Sequence, residues 1–316
     1  MMETSPETVS GAKPGKAPKW CGRALLLLVL SFVGWVIFRH ARELGAYTLN
    51  ISPAYLALSI LCCAAGYLAN LAVWIRLAAA FDIREDFVTT GRAWLLSRMG
   101  RHVPGKVTIL LVRFNQYKNH PNNAITAATI TEHLSSTAAS GLIVTLAVTW
   151  GSVDVPVSLQ WISGLGALAM LVSLTPWVMP FMLRLVFRLA KKAPPEKYPP
   201  YSMVLRLVGA YGVPALLTGA SFFFLIRALY SVEWQHFLVV AGVYYGAMLI
   251  GMAALFAPAG IGVREGIIFL ILPVIIPQPV VIAAAIGMRL IDTCTEAALG
   301  GGFWLVSQLL EKRHPH

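Results

Sequence analysis

A chain of 316 residues that is 57% hydrophobic and only 12% charged has too little polar surface to face water on every side, since soluble domains carry roughly 25% charged residues. Its net charge of +11 lies in short stretches between apolar runs, the distribution of a membrane-topology signal and not of a nucleic-acid surface. No polar stretch is long enough for a separate soluble domain, so the composition points to one all-α, polytopic transmembrane bundle.

Residues 1–19, rich in Pro, Gly, Lys, Ser and Thr, read as a disordered cytoplasmic tail. The Gly15-Lys16 pair is no phosphate loop, because Ala17 stands where Ser or Thr is required. Residues 20–311 read as a single transmembrane domain, and 312–316 as a second cytoplasmic tail. Eight apolar runs occur, at 21–38, 54–80, 124–150, 157–187, 205–230, 236–256, 263–277 and 280–309. A span needs ~20 residues, and most runs supply them; the seventh is short and starts in a Pro/Gly turn. Arg39, His40 and Arg42 follow the first run without a small-residue cleavage pattern, so an uncleaved helix is expected there. Cys21, Cys62, Cys63 and Cys294 have no metal-ligand spacing, and neither a metal, a cofactor nor a disulfide framework is expected. The scattered Met and Trp residues read as packing groups and interfacial anchors.

Loop charge gives the bundle a direction. Nineteen of the 25 Lys and Arg fall in the N-terminal stretch through Arg23, region 81–123, stretch 184–206 and the C-terminal tail. Three, Arg39, Arg42 and Arg227, fall on the other side, and Arg76, Arg264 and Arg289 lie in or beside apolar runs. This asymmetry predicts both termini in the cytoplasm and an even number of crossings of the cell membrane.

Two segments break the apolar pattern with proline and glycine beside charge. The first is Trp94 to Val107, holding Arg98, Arg101, His102, Pro104, Gly105 and Lys106, with Arg113 beyond it. The second runs from Phe256 to Gly266 and holds Pro258, Gly260, Gly262, Arg264 and Glu265, the first three serving as backbone-turn residues. The two Pro positions are 154 residues apart, nearly half the chain. Irregular backbone survives in a bilayer only against protein or a polar cavity, and paired interruptions point to a transporter's binding site. One or both elements are therefore candidates to re-enter the membrane; the plainer reading is a cytoplasmic interfacial loop. In either case Arg98, Arg101, His102, Lys106 and Arg113 face lipid phosphates, which guanidinium groups bind through paired hydrogen bonds.

Ionisable residues also stand inside the apolar runs. Glu132 lies in the third. Arg289, Asp292 and Glu296, at i, i+3 and i+7, share one face of the last. Charges at such depth cost at least ~2.5 kcal/mol and normally pair or line a path. Structural ion pairing, such as Arg289 with Asp292, is one reading. The other is a polar pathway through Glu132, Arg264, Glu265, Arg289, Asp292 and Glu296, coupled to protonation of Glu132 or Glu265.

With these residues in view the chain resembles the transmembrane domain of the lysylphosphatidylglycerol synthases, a family of flippase-like membrane proteins. Arg101-His102-Val103-Pro104-Gly105-Lys106 is similar to the family's R-Y-[ILV]-P-G-[KR] element, with His102 in place of Tyr. Residues 258–266 resemble its P-[GA]-G-[LI]-G-x-R-E element. Glu132 matches a family glutamate usually followed by Arg, here His133. The likeness covers roughly 20–310. It implies lipid translocation between leaflets. In fused members the membrane domain moves the product of an attached aminoacyltransferase. The sequence ends a few residues past the last run, so a stand-alone member that does not itself make lysylphosphatidylglycerol is expected. Its expected cargo is an anionic or headgroup-modified lipid, a polyisoprenoid-linked lipid or a glycolipid. Its expected partners are membrane lipids and a cytoplasmic or membrane-bound lipid-modifying or glycosyl-transferring enzyme, with no nucleic acid. Two further readings are an intramembrane lipid-modifying enzyme using Glu132 or Glu265 as base, and a non-catalytic partner that recruits a synthase.

Overall fold

The computed structural model describes residues 51–99, 107–189, 191–195, 198–253 and 262–313. The expectations for the 1–19 tail and the 21–38 run, and for Arg101, His102, Pro104, Gly105, Lys106, Pro258 and Gly260, lie outside the described residues.

Among these residues every long element is helical. The helices are α1 (Pro53–Ala80), α2 (Phe87–Met99), α3 (Val107–Gln116), α4 (Asn122–Trp150) and α5 (Val157–Ser173). They continue with α6 (Val178–Leu189), α7 (Tyr201–Leu229), α8 (Phe237–Ala253), α9 (Val263–Ile271) and α10 (Gln278–Arg313). Short 3-10 turns at Trp234–His236 and Leu272–Val274 precede α8 and follow α9.

Among the described residues three helical stretches are long and apolar enough to cross a membrane by themselves: Pro53–Ala80, Tyr201–Leu229 and Trp234–Ala253. A fourth is gained if α5 and α6, bent by 71° at their junction, count as one span. The run 21–38 lies outside the described residues, and the other runs that fall short do so for a physical reason. α4 and α10 are long enough, at 29 and 36 residues, but Glu132, Ser135 and Ser136 in one and Arg289, Asp292 and Glu296 in the other dilute their apolar character. The run 157–187 breaks at Pro176, where the ring removes a backbone donor. Region 81–123, the polar region whose 94–113 part was expected either to re-enter the membrane or to lie as an interfacial loop, holds α2 and α3.

α1 and α7 form an antiparallel seam. Ser59 Oγ donates to the Ser221 carbonyl at 2.7 Å and Ser221 Oγ donates back to the Ser59 carbonyl at 2.8 Å. One end is tied by the Ser52 amide on the Ala228 carbonyl at 2.8 Å. Midway along α1, a Cβ on Gly66 would stand 2.9 Å from Thr218 Oγ1, so glycine sets the helix separation there. In lipid no hydrophobic drive joins helices, so small residues and hydrogen bonds of this kind do the work. α5, by contrast, turns Trp161, Ile162, Leu165 and Leu168 outward, as a lipid-facing helix does.

α2 is started by Asp86, whose Oδ1 accepts the amides of Val88 and Thr89 at 2.9 Å each. Burial pushes this carboxyl up, but the hydrogen bonds from Thr89 and Val88 outweigh it and hold it below its ordinary value. The cap therefore acts fully above the unfolded carboxyl pKa and is lost as pH falls through the lower folded value. Asp86→Ala is expected to cost about 1 kcal/mol. Thermal unfolding of the two proteins in detergent should differ at neutral pH and converge in strong acid.

Candidate functional site

α10 places its charged face at the centre of the bundle, and the side chains around it reach both interrupted segments. Arg289 Nε lies 2.6 Å from Glu265 Oε1 on α9. The other oxygen of Glu265 accepts the Gly262 amide at 2.8 Å. Gly262 has φ +85°, a conformation open to glycine and strained for other residues. The glycine and the acid three positions on thus make a self-contained N-terminal cap for α9 while the acid also holds α10. Beside it, the Arg264 guanidinium stacks 4.4 Å over the Tyr244 ring of α8.

One and two turns further along α10, Asp292 Oδ1 and Glu296 Oε2 accept the Tyr67 hydroxyl at 2.8 and 3.2 Å. A phenol has one hydrogen, so Tyr67 serves the two carboxylates by turns. The Arg98 guanidinium lies over two aromatic rings, 5.2 Å from Tyr67 and 4.8 Å from Trp94. Trp94 Nε1 donates to Glu132 Oε1 at 2.7 Å. The second oxygen of Glu132 is 2.7 Å from Arg113.

Arg113 is almost wholly buried, at 1% exposure. Its Nε donates to Ser97 Oγ at 3.1 Å and an end nitrogen donates to Thr129 Oγ1 at 2.8 Å. Its face stacks 3.9 Å over Trp74, whose indole donates to the Tyr117 hydroxyl at 3.0 Å. Tyr117 in turn borders a cavity of about 100 Å³ with Arg84, Glu85 and Thr90. Ionic, hydrogen-bonded and aromatic contacts therefore lead from Gly262 across α10 to the turn after α3.

The expected site residues separate on this frame. Arg98, Glu132, Asp292 and Glu296 gather around Tyr67 and Trp94. Glu265 and Arg289 pair with each other, with Arg264 nearby. Arg113, expected at lipid phosphates, sits against Glu132 in the core. His133 lies on the exposed side of α4.

Tyr67, Trp74 and Trp94 were not singled out by sequence. The two tryptophans are fully buried hydrogen-bond donors inside the network, not interfacial anchors. A signal for Tyr67 existed, since it is a phenol in the middle of an apolar run. No family model matches the chain, and no curated protein is significantly similar to it.

Proposed function

We propose that this protein is a flippase-like lipid transporter that moves an anionic or headgroup-modified lipid, a polyisoprenoid-linked lipid or a glycolipid between the leaflets of the cell membrane. The observation that carries the reading is the set of buried and half-buried polar groups shared by α2, α3, α4, α9 and α10, which brings four carboxylates and four arginines into a bundle otherwise built for lipid. Intramembrane charges are costly and cluster where polar cargo passes. The resemblance of 101–106 and 258–266 to the flippase-like family supports the same reading. In it, Arg98 meets the headgroup from its aromatic cradle, and Asp292 and Glu296 form the wall opposite. The cytoplasmic placement of both termini, inferred from loop charge, belongs to this proposal.

An enzymatic role is less well supported. Glu132 and Glu265, the two candidate bases, each face an arginine at under 3 Å, which occupies the oxygen a general base would offer.

The test is leaflet accessibility of a headgroup-labelled lipid in proteoliposomes. Tyr67→Phe keeps the ring under Arg98 and deletes the shared hydroxyl. A hydrogen bond to a charged group is worth ~1.5–3 kcal/mol, so translocation should fall by about tenfold or more. The absence of protein-dependent movement for every lipid class tried, with folding confirmed, would sink the proposal.

A further inference from the structure

We infer that the chain holds two inverted structural repeats, α1–α4 and α7–α10, whose helical hairpins α2–α3 and α8–α9 enter the bundle from opposite faces of the membrane.

The succession of elements is the same in both. A long helix (α1, α7) leads to a helix ending at an interrupted segment (α2, α8). A helix of ten or nine residues follows (α3, α9), then a turn carrying proline (Pro121, Pro277), then a long helix (α4, α10). The packing also survives the exchange of halves. α2 lies on α10 as α8 lies on α4, and α3 packs on α2 and α4 as α9 packs on α8 and α10. α1 touches α10 as α7 touches α4, and α1 and α7 meet each other at the centre. α5 and α6 fall between the halves and outside the scheme.

Finer features follow the same exchange. Gly91, fifth in α2, lets that helix approach Phe303 of α10; Gly242, sixth in α8, lets its helix approach Ala147 of α4. Each short helix carries one buried ion pair to the long helix after it, Arg113 with Glu132 and Glu265 with Arg289. Counted from Asn122 and Gln278, Glu132 and Arg289 are the eleventh and twelfth residues of their helices. The sign of the pair is reversed between halves.

The two central helices, α1 and α7, run antiparallel, so equal order along the chain means opposite direction in space. The faces can be traced. Ser52, before α1, meets Ala228, at the end of α7. Ser152, just past α4, meets His236, just before α8, at 2.6 Å. These four ends therefore share one face. α10 runs parallel to α1, since Ser221, at the level of Ser59, meets Met288 while Tyr67, two turns on, reaches Asp292 and Glu296, and it is therefore antiparallel to α7. It thus starts on that same face. Nine helical residues rise ~14 Å, far short of the ~30 Å hydrocarbon core, so α9 by itself is too short for a second crossing. Since α8 starts from the face at which α10 begins, the α8–α9 pair returns to the face it left.

At the other face Glu85, before α2, lies 3.1 Å from His120, after α3. The first hairpin therefore also returns to its own side. That side carries Arg84 and Lys118, while 272–279 holds no Lys or Arg, so the positive-inside rule puts α2–α3 on the cytoplasmic face and α8–α9 on the opposite one. A protein built this way has one mouth on each side of the Arg289, Asp292 and Glu296 face, as carriers made of inverted repeats do.

Impermeant thiol labelling tests this topology without any transport assay, so its failure and that of the lipid-transport proposal are separable. In a variant with Cys21, Cys62, Cys63 and Cys294 replaced, and its fold verified, single cysteines are placed at Arg84, Lys118, Gln235 and Gln278. All four positions are exposed. In right-side-out and inverted vesicles, Arg84→Cys and Lys118→Cys should react from one side, and Gln235→Cys and Gln278→Cys from the other. Reaction of positions 118 and 278 from the same side would overturn the inference. So would opposite sides for 235 and 278, for 84 and 118, or a site that reacts only after solubilisation.

Discussion

Glu132→Ala is expected to be the most damaging single substitution in the described part of the protein. It strands the Arg113 guanidinium, 1% exposed, among Trp74, Ser97 and Thr129, with no carboxylate to balance it. Breaking a buried pair from one side costs about 3–5 kcal/mol. It also leaves the Trp94 indole, 2.7 Å from the lost oxygen, without an acceptor, at ~1–3 kcal/mol more. Against a total of roughly 5–15 kcal/mol for a folded domain, that is most of the margin. Heating in detergent followed by size-exclusion chromatography should show the monodisperse peak lost at a much lower temperature. Arg113→Met with Glu132→Leu removes both charges and should recover most of the loss, because apolar replacement of a buried pair is often neutral. Equal damage from the single and the double would count against the pair as the cause. Translocation by the recovered double then separates roles: a stable protein that still moves lipid would make the pair a scaffold, and one that does not would place it in the path.

The second large effect lies at the α4–α8 crossing. A Cβ added at Gly242 would stand 2.2 Å from the Ala147 Cβ, a backbone-tethered atom that no rotamer change can move. Gly242→Ala must push two long helices apart, and overpacking of this kind costs about 1–3 kcal/mol. The position has a built-in control one turn away, since a Cβ at Gly246 meets nothing closer than Val144 Cγ2 at 4.0 Å. Gly246→Ala should be close to neutral. Adding Ala147→Gly to Gly242→Ala exchanges the two side chains across the seam and should restore thermal survival, a coupling that independent sites would not show. No rescue would mean that the damage comes from α8 alone.

Some of the site was legible early. The i, i+3, i+7 spacing of Arg289, Asp292 and Glu296 put them on one face of a helix, and the structure gives that face to Glu265 and Tyr67. Gly262 was readable as a turn residue, and its positive φ is the reason. The shortness of the seventh run was visible too, and α9 is a nine-residue helix. Partners were not legible. Arg289 reaches Glu265, 24 positions back, and Tyr67 reaches Asp292, 225 positions on. Such choices depend on the rotation and depth of each helix against its neighbours. In lipid those are fixed by where a glycine or serine permits close approach, which hydrophobic periodicity does not encode. Whether 94–113 held helices or an interfacial loop stayed open, because the polar residues of 81–123 look like a loop until Trp74, Trp94 and Tyr117 are seen packed among them.

The sequence by itself determined that this chain is apolar enough to live in lipid, that its Lys and Arg cluster in a few stretches, and which few ionisable residues are out of place among the apolar runs. Apolar length and loop charge are sums over residues and survive without coordinates. Only the tertiary structure decided that Arg289, Asp292 and Glu296 meet Glu265 and Tyr67 while Glu132 meets Arg113 and Trp94, that each short helix is pinned by an ion pair, and that the helix contacts of one half recur in the other. Each of these is a relation between helices, set at crossings such as Ser59–Ser221, Gly91–Phe303 and Gly242–Ala147, where one missing or added side chain changes which partners can touch.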